Sequence, residues 1–125
     1  MLGDKDAIAT VAVKDLAAAR KFYEGVLGLK VASERGTDAV TLKSGNSSLI
    51  VYRSGFAGTN QATAVNFALG KDIDGIVQGL RDRGVKFEHY DLPGLTRTGD
   101  IHAYGDFKVA WLKDPDGNIL ALMGG

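Results

Sequence analysis

Cysteine is absent from this 125-residue chain. That excludes disulfides, thiolate metal ligands and cysteine nucleophiles together, and nothing requires an oxidising compartment. Neither sign of charge is in excess: 15 Lys and Arg stand against 15 Asp and Glu. No basic surplus therefore points to nucleic acid or to an anionic membrane. No apolar run approaches the roughly 18 residues of a membrane span, and Met1-Leu2-Gly3-Asp4-Lys5-Asp6 has no basic region followed by an apolar one. The expectation is a cytoplasmic protein with no nucleic-acid or membrane partner. A Gly-x-Ser-x-Gly nucleophile elbow and a glycine-rich phosphate loop are also missing. Proline is rare, at two, and glycine frequent, at 17, which suits short turns between strands.

What is present is an ordinary globular composition, 45% apolar and 24% charged, long enough for one domain with a sizeable core. Ala7 to Val13 reads as a strand. A helix opens at Asp15, its expected N-cap, and Leu16, Ala19, Phe22, Tyr23 and Leu27 build one apolar face before Gly28 stops it. Leu29 to Ser33, Ala39 to Leu42 and Leu49 to Tyr52 are three further strands. The small, polar stretch Gly55 to Asn60 is the expected linker. After it come a strand over Ala64 to Leu69, a helix over Asp72 to Arg83, and a short strand over Val85 to Glu88. Asp106 to Leu122 closes the chain as a hairpin, two apolar runs around Asp114-Pro115-Asp116-Gly117-Asn118. The order β-α-β-β-β thus occurs twice, about 55–60 residues apart, the mark of an internal repeat. The expected fold is α+β, one domain of two tandem βαβββ modules, the first over about residues 5–55 and the second over about 60–125.

Three motifs carry a resemblance. Val13-Lys14-Asp15-Leu16, continuing through Ala19, Phe22-Tyr23 and Leu27-Gly28-Leu29, is the first. Arg83-Gly84-Val85-Lys86-Phe87-Glu88 followed by Tyr90-Asp91-Leu92-Pro93-Gly94 is the second, and Lys113 to Asn118 is the third. In this order they resemble the vicinal oxygen chelate superfamily, which includes glyoxalase I, bleomycin and fosfomycin resistance proteins and extradiol dioxygenases. The resemblance covers essentially the whole chain. It implies concave sheets around a cavity and pairing of two copies as a homodimer.

In the metal-dependent members, a divalent ion is held by His, Glu or Gln from the first and last strands of each module. The matching positions here are Ile8, Ile50, Val65 and Ala121, all apolar. A one-residue slip brings in Asn66 or Tyr52, still too few donors for a divalent ion. His89 and His102 lie in the segment after the second helix, away from those positions, where surface or pocket-edge placement is expected; the alternative is that they meet Asp91 or Asp100 there in a non-standard metal site. No metal and no cofactor is therefore expected.

A cavity of Ile8, Thr10 and Ile50 with Val65, Phe67, Ile119 and Ala121 would be mostly apolar, with Tyr52 and Trp111 as aromatic walls. Asp91 to Gly105 has no clear period and reads as a long loop of the kind that binds or covers ligands. His102 and Tyr104 are its polar groups best suited to meet one. The ligand-binding set is thus Thr10, Tyr52, Phe67, His102, Tyr104 and Trp111. The expected function is metal-independent binding of an apolar or aromatic small molecule, resembling bleomycin-resistance proteins. The alternative is an enzyme of the same superfamily, a lyase or isomerase acting on a small metabolite without the standard metal site. Glu88, His89 and Asp91 are further candidates for its base.

Overall fold

Alternation of branched apolar residues with small or polar ones builds the first sheet. The computed structural model describes residues 1–125 as two compact units, Met1–Thr59 and Asn60–Gly125. In the first unit, β1 (Ala9–Val13), β2 (Lys30–Arg35), β3 (Ala39–Ser44) and β4 (Ser47–Arg53) form a sheet in the order β1-β4-β3-β2. β1 runs parallel to β4, and the other pairs are antiparallel. Val11, Val13, Val40, Leu42, Leu49 and Val51 are all buried. They share the face on which α1 (Leu16–Arg20) packs against β4, because side chains two apart on a strand point the same way.

Asp15 caps α1, its carboxylate accepting from the Ala18 N–H at 3.2 Å. The helix does not continue regularly to Gly28 as expected. Residues Lys21–Val26 form a wider, π-helical turn, closed by the Leu27 N–H donating to the Phe22 carbonyl. Through this change Ala19 and Tyr23 both remain fully buried. Gly28, at φ +80°, then turns the chain out.

The second unit repeats the plan with one alteration. Its elements are β5 (Thr63–Gly70), α2 (Ile73–Asp82), β6 (Phe87–Glu88), β7 (Thr96–Thr98), β8 (Ile101–Tyr104), β9 (Phe107–Lys113) and β10 (Ile119–Gly124). The sheet order is β5-β10-β9-β8-β7, with β6 also paired to β9. β5 is parallel to β10 and β10 antiparallel to β9, as β1, β4 and β3 are in the first sheet. The two-module α+β expectation holds. The reading of Asp91 to Gly105 as a structureless loop does not: it contains β7 and β8. Strands of three and four residues are too short to show a period.

α2 covers one face of this sheet. A Cβ placed on Gly124 would lie 3.0 Å from the Cβ of Ile73, so Gly124, and with it Leu120 and Leu122, faces the helix. Ile73, Val77 and Leu80 are the buried residues of α2. The β9–β10 turn is held by Asp114, which is buried with Asn118. Its Oδ1 accepts from the N–H groups of Asp116 (2.9 Å) and Asn118 (2.8 Å), and its Oδ2 from the Asn118 amide at 2.7 Å. Gly117, at φ +85°, supplies the left-handed residue of the turn. The Asp-Pro-Asp-Gly-Asn motif is therefore a structural device.

Candidate functional site

The position next to β9 on its outer side is filled twice. β6 pairs with it through Phe87–Leu112 and Glu88–Trp111, and β8 through His102–Val109 to Tyr104–Phe107. Residues 89–100 leave β9 between these two pieces and return to it, pairing with β8 as β7 on the way. This detour sets His89 and Tyr90 beside His102, whose ring centre lies 6.2 Å from that of His89.

Cross-strand partners share a face, so Glu88, Trp111 and Ala121 lie together, with His102 and Val109 beside them. Asn66 pairs with Ala121 and joins them. This is the face turned away from Leu120, Leu122 and α2. The Trp111 ring stands edge-on to His102 at 4.9 Å and to Tyr90 at 5.1 Å.

His102 is the buried polar centre of the group, only 1% exposed, which corrects the expectation of a surface or pocket-edge histidine. Its Nε2 accepts from the Tyr90 N–H at 3.1 Å. A neutral imidazole that accepts at one nitrogen carries its proton on the other, so Nδ1 is a donor. Nδ1 is also buried, and no group of the protein accepts from it. Leaving a buried donor unmatched costs about 1–3 kcal/mol.

Beside it, Asp100 is gripped on both oxygens. Its Oδ1 lies 2.7 Å from Nε2 of His89, and its Oδ2 accepts from Nε and Nη2 of Arg81 at 2.9 and 2.7 Å. The hydrogen bond with His89, then that with Arg81, holds the Asp100 carboxyl below the usual carboxylate range, against partial burial that pushes it up. Arg81 belongs to the last turn of α2, so the helix anchors the detour at its return to the sheet.

The other expected ligand-binding residues separate. Tyr104 shares the His102 face but lies toward the β8–β9 turn, 66% exposed. Phe67 pairs with Leu122 and faces α2, and Val65 pairs with Leu120 on that same side. Neither lines the face of Trp111 and Ala121. Register shifts along β5 and β10 set this facing, and no strand pattern in the sequence reveals them. In the first unit, Thr10 pairs with Ile50, and Tyr52 follows on the same face. Thr10 and Tyr52 are exposed there, opposite the α1 side. That unit also has an open cleft of about 400 Å³ lined by Lys14, Asp38, Arg53, Ser54 and Gly55, where Arg53 pairs with Asp38 at 3.6 Å. The sequence offers Asp100 only as a partner of the two histidines, and the residues it does not disclose are Arg81 and Tyr90. The last acts through its backbone N–H, which no side-chain pattern announces.

The divalent ion implied by the resemblance does not fit these residues. The strand positions in register are Thr10 with Ile50 in one sheet and Asn66 with Ala121 in the other, which offer one hydroxyl and one amide. Nowhere do three or more His, Cys, Asp or Glu side chains gather so as to hold a metal.

Comparison with known proteins gives the family. Among solved structures, a glyoxalase/bleomycin resistance protein/dioxygenase from Alicyclobacillus acidocaldarius is 21% identical at a TM-score of 0.72, covering 99% of this chain and 94% of its own. The lactoylglutathione lyase of Agrobacterium tumefaciens is 17% identical at 0.73, covering 100% and 96%. A fosfomycin resistance protein from Listeria monocytogenes is 15% identical at 0.67, covering 100% and 93%. At such identities the likeness is one of fold. A comparison with curated proteins found no significant match. The family model described as Glyoxalase/Bleomycin resistance protein/Dioxygenase superfamily matches residues 7–122, nearly the whole chain, and the protein belongs to that superfamily.

Proposed function

We propose that this is a cytoplasmic, metal-independent small-molecule binding protein that works as a homodimer. It captures an apolar or aromatic compound reversibly, with no bond made or broken. The observation that carries the reading is the aromatic group on the second sheet, where Trp111 stands edge-on to both the buried His102 and Tyr90. Aromatic side chains with a few fixed polar groups are the usual lining of an organic-ligand site. The poor donor set at the in-register strand positions supports the absence of a resident cation. No helix is long and apolar enough to cross a membrane.

The test is native mass spectrometry of the protein as purified, repeated after addition of nickel, zinc and manganese. A dimer that takes up no stoichiometric metal and carries a co-purified organic mass is the expected result. One tightly held metal per protomer would overturn the reading.

A second reading, a metal-free lyase or isomerase, is favoured by the pair of Asp100 and His89. Asp100 holds Nε2 of a half-exposed imidazole at 2.7 Å. A carboxylate in that position leaves the other ring nitrogen of neutral His89 free to take a proton, the arrangement of a general base. Under this reading H89Q abolishes turnover, whereas under simple capture it leaves affinity within a few fold.

A further inference from the structure

The buried ring of His102 specifies more than an apolar ligand. Tyr90 fixes its tautomer: with Nε2 accepting from the backbone N–H at 3.1 Å, the proton sits on Nδ1. That donor is without solvent contact and without a protein acceptor. Every other buried side-chain nitrogen or oxygen has a partner, so among the buried side chains this is the one unmatched polar atom. The ring that carries it stands against the sole tryptophan, with the two ring centres 4.9 Å apart and the planes steeply inclined.

We propose that Nδ1–H of His102 is the donor reserved for the ligand, and that the captured compound is a flat, apolar molecule bearing a neutral carbonyl oxygen. This deepens the capture reading above and rests on it. An acceptor is required because the nitrogen already carries its proton, so an ammonium group meets donor with donor. Neutrality follows from the charges nearby. The guanidinium of Arg81 is spent on Asp100, and Lys113 faces Glu88 at 3.4 Å. A carboxylate taken into this site would lose water without gaining a counter-charge, the costly case for burial. A carbonyl loses far less and recovers one hydrogen bond. Tyr90, whose ring meets that of Trp111 at 5.1 Å between centres, borders the same group. Tyr90 belongs to the detour rather than to a strand of the sheet.

Three probes of one shape test this: acetophenone, ethylbenzene and benzoate, each titrated against the fluorescence of Trp111. Acetophenone should bind about tenfold more tightly than ethylbenzene, the worth of one recovered buried hydrogen bond, and benzoate more weakly than both. In H102F the preference for acetophenone over ethylbenzene should vanish while ethylbenzene still binds. Should that variant fail to fold, the wild-type protein decides by ¹⁵N-edited NMR, where the ring proton sits on Nδ1 and its resonance moves with acetophenone and not with ethylbenzene. Equal binding of acetophenone and ethylbenzene, or a ring protonated on Nε2, overturns the carbonyl inference and leaves capture standing. If none of the three binds, the capture reading falls as well.

Discussion

The two modules share a strand order and differ in one strand. In the first, β2 is a single continuous edge strand, exposed along its whole length, and the face opposite α1 carries Thr10, Ile50 and Tyr52. In the second, the same position is divided between β6 and β8, and the residues between them bring His89, Tyr90 and Asp100 to the sheet. The first face is a simple solvated surface of a hydroxyl, a phenol and an aliphatic chain. The second holds a buried imidazole, an indole and a doubly anchored carboxylate. Repeating a fold therefore did not repeat its chemistry. One interruption in one strand separates a plain sheet from a candidate binding site.

The comparison breaks most visibly at the last hairpin, which only the second module has in this form. Asp114→Ala removes an acceptor of three hydrogen bonds inside a buried turn. A loss of about 3 kcal/mol or more follows from charge-assisted bonds of this kind, readable by urea denaturation. Gly124→Ala comes next. Its Cβ would stand 2.2 Å from the Gly70 carbonyl oxygen, so β5 and β10 must part; overpacking of this sort costs about 1–3 kcal/mol, again by denaturation.

A third change sharpens the contrast in polarity. The carboxyl of Asp100 is depressed below its ordinary value. Its contribution to stability is complete above the unfolded-state pKa of about 3.9 and disappears as pH falls through the lower folded-state value. The stability difference between wild type and D100N should accordingly shrink as pH falls below about 4, as followed by thermal unfolding across the acid range. The smallest effect belongs to the first module. Asp38→Asn breaks only an exposed pair with Arg53 at 3.6 Å, so unfolding free energy should change by less than about 0.5 kcal/mol.

Much of the fold was legible because its signals are local. Asp15 caps the first helix, Gly28 and Gly84 lie at positive φ just past the helical segments, and Asp114 to Asn118 form the closing turn. The two-module order followed from these points and from apolar alternation. What could not be read was non-local. β8 is defined by its pairing with β9, not by its four residues, so His102 passed for a loop residue. The facing of Phe67 depends on shifts in register between β5 and β10. The wide turn in the first helix breaks the 3.6-residue period after Arg20. The candidate site itself was half visible: Trp111 and His102 stand out by residue type, whereas Arg81, Asp100 and Tyr90 matter through partners distant in sequence.

The divided strand has a consequence for how this molecule can vary. Both ends of the 89–100 detour are pinned to β9 independently, at Glu88 and at the start of the β8 pairing. The excursion can therefore lengthen, shorten or change composition while the register of the sheet stays fixed, since loop length carries only a shallow entropic cost. Under the capture reading proposed above, the side chains of that stretch that border His102 and Trp111 can change while the strands stay as they are. The scaffold behaves as a socket with an exchangeable insert, in which a changed insert needs no new core.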